Sequence, residues 1–305
     1  MSEPVNHAGL SQAEKRMRVS FPPDPNPRKP KLVAPPGSWD THFHVYAPHL
    51  FPFADKRPYT PPSAPVEHYL QINSAIGLER GVIVGPSVHG HNRALTTDAV
   101  AKSNGRLVGM IRSDPQLTAA EIGPLHDAGV RGIRFPVSRT RGDALNLGVF
   151  RHNYELIKDT NWVVDFQIDA DVIVENADMI RRSKRPVIID TWARLDPRAG
   201  FDHETYRVLI DLLRNHDVYL KIHGANRYLS RGYSFSDVVA MAHHIIPQAP
   251  DRILWGTDWP HSEIYAPNQM PNDGDLLDML LDFAPDEAVR KKILADNPAR
   301  LFDTK

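Results

Sequence analysis

The chain has 305 residues, 41% of them hydrophobic and 24% charged, with a formal net charge of -1. That composition suits a globular α/β protein, and so balanced a charge leaves no electrostatic footprint for nucleic acid. Cysteine is absent, which excludes disulfides, thiolate nucleophiles and Cys-ligated metals. No apolar run reaches membrane-spanning length and no secretory leader is visible, so a cytoplasmic protein is expected, with no membrane contact.

Residues 1–38 are rich in proline and charge (FPPDPNPRKPKLVAPPG) and lack apolar periodicity. They read as an extended arm, either a disordered tail or a strap lying on the barrel or on a partner subunit. From Trp39 onward, β-branched runs alternate with helical spacing. Strands are predicted at 39–45, 81–87, 107–113, 130–136, 162–168, 186–190, 218–224 and 252–258. Helices are predicted between them, at 66–77, 92–104, 118–129, 151–161, 171–183, 203–215 and 235–248, with two more at 273–284 and 286–295. Eight such units over residues 39–305 predict a (β/α)8 barrel, a TIM barrel of the α/β class. A doubly wound open sheet fits less well, because no glycine-rich phosphate loop follows any strand.

In a (β/α)8 barrel every strand's C-terminal end faces the site, so polar strand-end residues can be gathered into one mouth. His42 and His44 lie two apart on the first strand, hence on one face. Ser87, His89 and His91 follow strand 2, and Arg112 ends strand 3. Arg134, Arg139 and Arg141 follow strand 4, and Gln167 and Asp169 end strand 5. Asp190 and Thr191 end strand 6, His223 and Arg227 follow strand 7, and Asp258 and His261 follow strand 8. Arginine and histidine dominate although the whole chain is neutral. Such a mouth predicts a small anionic ligand, most naturally a carboxylate held by guanidinium forks.

The motifs DTHFHVYAP (40–48), LFPFADKRPYTP (50–61), LHDAGVRGIRF (125–135), LWGTDWPH (254–261), MPNDGDLLD (270–278) and DNPARLF (296–302) resemble those of the amidohydrolase superfamily. The closest resemblance is to the branch of 2-pyrone-4,6-dicarboxylate lactonase, sugar-acid lactonases and galactarolactone isomerase. The resemblance implies that His42, His44 and Asp258 are catalytic and that Tyr59, Arg134 and Arg227 bind substrate carboxylates. It also expects a further arginine, which Arg139 or Arg141 could supply. One departure stands out: the branch ends strand 6 in Asp-His, and here Asp190 is followed by Thr191. Metal-dependent superfamily members also carry a strand-5 histidine, where this chain reads FQID.

His42, His44 and Asp258 could supply three ligands to one zinc or manganese ion. With both downstream imidazoles missing, a metal-free site without cofactor is the preferred reading. The expected activity is hydrolysis of a carboxylated lactone, such as one from aromatic-compound or sugar-acid catabolism. Asp258 would act as general base, and His42, His44 or His261 would stabilise the oxyanion. His223 or His89 would take the polarising role that Thr191 cannot fill. A lactone isomerase, a metal-dependent decarboxylase or amidohydrolase, and a non-catalytic binding barrel are the competing readings. A homo-oligomer is left open. Each residue also has a structural explanation: Arg134, for instance, could pair with Asp165 or Asp190 inside the barrel.

Overall fold

In the computed structural model, residues 11–139 and 144–303 are described. Eight strands run Trp39–Phe43 (β1), Arg80–Val84 (β2), Leu107–Arg112 (β3), Val130–Val137 (β4), Val163–Ile168 (β5), Val187–Ile189 (β6), Val218–Lys221 (β7) and Ile253–Leu254 (β8). Each pairs in parallel with the next, in the order β1 to β8. Their residues are buried almost throughout, as expected of parallel strands covered on both faces. The barrel closes without a regular β8–β1 ladder. Three backbone hydrogen bonds make the seam instead: Thr41 N to Trp255 O at 2.9 Å, His44 N to Trp259 O at 2.8 Å and Asp258 N to His42 O at 2.8 Å. The (β/α)8 barrel predicted from the sequence is therefore the observed fold.

Side-chain alternation organises the interior. The outward residues Ile133, Phe166 and Leu220 pack against helices such as Glu204–Asn215 and Phe235–Ile245. The inward residues Val82, Met110, Val163, Ile188 and Tyr219 form an apolar layer, floored by Leu301 and Phe302 of the last helix. Nearer the mouth, inward positions on β4, β5 and β7 and just past β6 turn polar: Arg134, Asp165, Lys221 and Asp190, all buried. The barrel is thus apolar at its base and ionic toward its mouth.

Three local features depart from the expected elements. The helix expected at 151–161 begins at Leu147, where the Asn146 side chain accepts from Val149 N. The helix expected at 286–295 divides into Glu287–Lys291 and a π-helical turn, Lys292–Asp296. A short helix, Ala225–Leu229, follows β7 after Gly224 in the left-handed region at φ 75°; glycine suits that turn.

The described part of the N-terminal arm lies on the barrel. Its helix Gln12–Met17 is closed by a Ser11–Glu14 capping box, Val19 bridges Thr60 in parallel, and Phe21 N donates to Ile264 O at 2.7 Å. No helix among the described residues is long and apolar enough to cross a membrane.

Candidate active site

A cavity of about 490 Å³ opens at the C-terminal ends of the strands, lined by His42, His44, Tyr59, Arg134, Thr191, Arg194, His223, Arg227 and Asp258, among others. Seven of the eleven sequence candidates are thus brought together: His42, His44, Tyr59, Arg134, His223, Arg227 and Asp258. Alternation on β1 brings both imidazoles to the mouth, and the seam hydrogen bond from Asp258 N to His42 O fixes the aspartate beside them. Asp258 itself sits in the left-handed region at φ 64°. For a non-glycine residue that conformation costs energy and is held by its surroundings.

The catalytic candidates converge on one point. Asp258 Oδ1 lies 3.7 Å from His42 Nε2 and 3.8 Å from His44 Nε2. His44 Nδ1 is 2.7 Å from Val84 O. A carbonyl only accepts, so Nδ1 carries the proton and Nε2 presents a bare lone pair. His42 Nδ1 faces Asp190 Oδ1 at 3.2 Å, nearer than the competing Lys221 Nζ at 3.5 Å, which favours the same tautomer, and its Nε2 has no hydrogen-bond partner. Burial drives the His42 pKa well down against the pull of Asp190. Burial, aided by the nearby Arg134 charge, brings His44 to about 4. Both rings are therefore neutral at physiological pH. Three acceptors meet at one spot, so His44 does not supply the oxyanion proton expected from the sequence.

The carboxylates are charged and held. Burial alone would raise the pKa of Asp258, but the Arg227 guanidinium outweighs it and holds the group far below the ordinary carboxylate range. Arg227 Nε and Nη2 both donate to Asp258 Oδ2, at 2.8 and 2.5 Å. Asp190 is a hub. His223 Nε2 lies 2.6 Å from its Oδ1, and Arg134 Nη2 donates to its Oδ2 at 2.5 Å. Burial pushes Asp190 up, and His42, Arg134 and His223 more than reverse that. Arg134 Nε also lies 3.8 Å from Asp165 Oδ1. The pairing of Arg134 with Asp165 and Asp190, weighed from the sequence as its structural role, is thus present, and the residue lines the cavity as well. His223 stacks on His42 with centroids 4.0 Å apart and lies 3.2 Å from Thr191 Oγ1. Its Nε2 is engaged with Asp190, so it braces His42 rather than facing the cavity as a free donor.

The remaining candidates fall elsewhere. Arg139 is exposed and pairs with Asp171 at 2.9 Å and Glu175 at 2.5 Å on the outer surface; it does not line the cavity. Arg141 lies outside the described residues. His89 is buried under the 50–54 loop, its ring 4.7 Å from Phe53 and Nδ1 3.4 Å from Pro52 O. His261 is buried against Asp273, with Nε2 3.0 Å from Oδ1. Both are correctly near the strand ends but point into packing, because the loops beyond the strands turn them away from the mouth.

Arg194 was not foreseen. A turn of four consecutive left-handed residues, Thr191 to Arg194 at φ 50–57°, carries its guanidinium into the cavity. There Nη1 donates to Asp169 Oδ1 at 2.8 Å. With its amide oxygen turned inward, Gln167 accepts from Arg194 Nη2 and Arg134 Nη2, each at 3.3 Å. Arg194 lies five residues past Ile189, and nothing in the sequence marks the turn that brings it back to the mouth. Lys221 was also missed, although its place two residues before His223 puts it on the same inward row. Its Nζ donates to Asp165 Oδ2 at 2.6 Å and sits 3.5 Å from His42 Nδ1.

The donor atoms of His42, His44 and Asp258, and those of His42, Asp190 and His223, lie within 4.8 Å of one another. By distance, and by the backing of each Nδ1, the first set fits a divalent ion. Charge opposes it, because Asp258 is already neutralised by the Arg227 fork.

Residues 39–304 match the family model described as Amidohydrolase. The chain is 41% identical to a 4-sulfomuconolactone hydrolase of Rhizobium radiobacter, over 93% of this chain and 97% of that protein. It is 32% identical to a 2-pyrone-4,6-dicarboxylate hydrolase of Comamonas testosteroni, over 91% and 93%. Among solved structures, an Agrobacterium tumefaciens protein crystallised in its apo form superposes with a TM-score of 0.83 at 26% identity, covering 92% of this chain and 99% of that one. With the family model matched across the whole barrel and the two hydrolases aligned along more than nine-tenths of the chain, the chain belongs to the amidohydrolase family.

Proposed function

We propose that the chain is a hydrolase that opens a carboxylated lactone, and that it works without a metal. The observation that carries the hydrolytic reading is the convergence of three acceptors, Asp258 Oδ1, His42 Nε2 and His44 Nε2, in a cavity otherwise rich in guanidinium; its metal-free part rests on the Arg227 fork that already neutralises Asp258. The relatives named above, both called hydrolases of anionic lactones, support it.

Arg227, Arg194 and Arg134 receive the substrate carboxylate and orient the ring. When Arg227 turns toward that carboxylate, Asp258 loses its counter-charge and becomes a stronger base. Substrate binding thereby arms the base. A water donating to Asp258 Oδ1 and to one imidazole Nε2 keeps a lone pair aimed into the cavity. Asp258 takes a proton as the water oxygen bonds to the lactone carbonyl carbon. The arginines and the Tyr59 hydroxyl donate to the developing oxyanion. Collapse breaks the ring C–O bond, and Asp258 returns its proton to the leaving oxygen, giving the open-chain acid.

Asp258→Asn is the test. Hydrolysis of carboxylated lactones, followed by proton release, falls on the order of 10²–10⁴-fold, while binding of the unreacted lactone persists. Undiminished turnover in that variant overturns the general-base role. A panel that shows lactone interconversion without acidification overturns hydrolysis in favour of isomerisation.

One observation favours a second reading. The ring orientations of His42 and His44 would let them, with Asp258, hold one zinc or manganese ion, which would polarise the carbonyl. Elemental mass spectrometry on dialysed protein separates the two: stoichiometric metal whose removal abolishes hydrolysis overturns the metal-free reading.

A further inference from the structure

We propose that Lys15, carried by the N-terminal arm, is a specificity residue that binds a second anionic group of the substrate at the cavity mouth. The inference rests on the reading of the cavity as a site for anionic lactones.

The arm is stitched to both loops that frame the mouth. On one side Thr60 N donates to Lys15 O at 3.1 Å, Thr60 Oγ1 donates to Arg16 O at 2.5 Å and Ser20 N donates to Thr60 O at 3.0 Å. On the other side Arg18 Nη2 donates to Tyr265 O at 3.0 Å. These bonds hold the helix Gln12–Met17 over the barrel, and the Lys15 side chain lines the same cavity as Arg227 and Asp258.

The deep guanidiniums already have carboxylate partners: Arg134 has Asp190, Arg227 has Asp258 and Arg194 has Asp169. Lys15 is less committed. Its nearest carboxylate oxygen, Glu263 Oε1, is 3.7 Å away, beyond hydrogen-bond distance, with the two side chains 21% and 16% exposed. A partly shielded ammonium with three rotatable donors can exchange so loose a partner for an incoming anion.

Glu263 lines the cavity too, and it makes the arrangement selective. Beside Lys15 its charge is balanced. Without Lys15 that ammonium no longer offsets it, and its repulsion of an anion grows, although the Arg227 charge also acts on it. Loss of the lysine therefore removes an attraction and exposes a repulsion, and both act only on a ligand charged at its outer end.

The test compares two chemical probes by calorimetry, benzene-1,3-dicarboxylate and benzoate, on full-length wild type, K15M, E263Q and the double variant. In wild type the dicarboxylate binds more tightly than benzoate. K15M weakens the dicarboxylate on the order of tenfold and benzoate by no more than about twofold. E263Q tightens the dicarboxylate, and the double variant regains part of what K15M loses. Equal affinity of the two probes in wild type, no loss in K15M, or equal losses on both probes each overturns the proposal; the last outcome marks Lys15 as merely structural. Because binding is read without turnover, failure of the lactone reading in the proton-release assay remains distinguishable from failure of this one.

Discussion

His44 and Asp40 show how single buried groups set opposite pH dependences. The His44 pKa falls from 6.5 to about 4 in the fold. The unfolded chain therefore binds more protons across that window, and stability drops as pH falls through it. Asp40 accepts from Thr257 Oγ1 at 2.6 Å and from Thr257 N and His42 N at 3.0 Å. Burial nevertheless outweighs those bonds and raises its pKa from 3.8 to about 6. The folded chain then holds the extra proton, and stability drops as pH rises through that window. Each effect is worth about 3 kcal/mol by linkage, so in wild type they largely offset one another. Replacing His44 by Gln leaves the Asp40 effect alone. The expected result is that the unfolding free energy at pH 7, taken relative to pH 4.5, is about 2–3 kcal/mol lower in H44Q than in wild type, measured by urea denaturation; an unchanged difference rules out a neutral His44. His42, His44 and Asp258 were legible because they fall on a strand row or at a strand end. Their protonation states were not, since those depend on Val84 O and Asp190, which only the closed barrel brings near.

At the scale of elements, the turn after β6 is the least expected piece of backbone. Thr191, Trp192, Ala193 and Arg194 are all left-handed, at a cost of roughly 4–8 kcal/mol for four L-residues. Burial of the whole Trp192 side chain offsets about 5 kcal/mol of that, and Asp190 Oδ1 accepts from Thr191 N at 3.1 Å. Thr191 is the costliest member, because a β-branched side chain is the least suited to this region. Asparagine tolerates it, so Thr191→Asn is expected to raise stability by about 1 kcal/mol, seen as a higher urea midpoint. A lower midpoint shows that threonine's own packing holds the turn. The strands themselves were readable from their β-branched runs, to within a few residues at each end. This turn was not, because IIDTWAR contains no glycine, the residue that ordinarily marks a positive φ. Arg194 went unrecognised for the same reason.

Across the whole molecule, the barrel stacks an ionic layer upon an apolar one. Lys221 and Asp165 are fully buried partners at 2.6 Å, joined through Arg134 and Asp190 to His42. Removing one member strands a charge in a low-dielectric interior. K221M and D165N are each expected to cost about 3–5 kcal/mol, and the double variant clearly less than their sum, read from urea unfolding of the three proteins. Additive losses would show that the pair is not coupled. The eight-unit barrel followed from the order of elements, which the alternating sequence displays; the ionic layer inside it did not. The position of the arm did not, since its proline-rich stretch carries no periodicity and is fixed by backbone bonds to Thr60 and Ile264.

The seam of the barrel has a consequence for how activity is acquired. Asp258 N donates to His42 O, and His44 N donates to Trp259 O, so the proposed reacting groups come from opposite sides of the one junction where the sheet meets itself. Two hundred-odd intervening residues must wrap before the two sides meet. During synthesis, then, a chain halted before β8 owns both imidazoles and every proposed anchoring arginine, while the proposed base is still missing. With the proposed roles, activity is expected only once the ring shuts, and a protein cut into two pieces between β4 and β5 is expected to regain it only when the pieces reassociate.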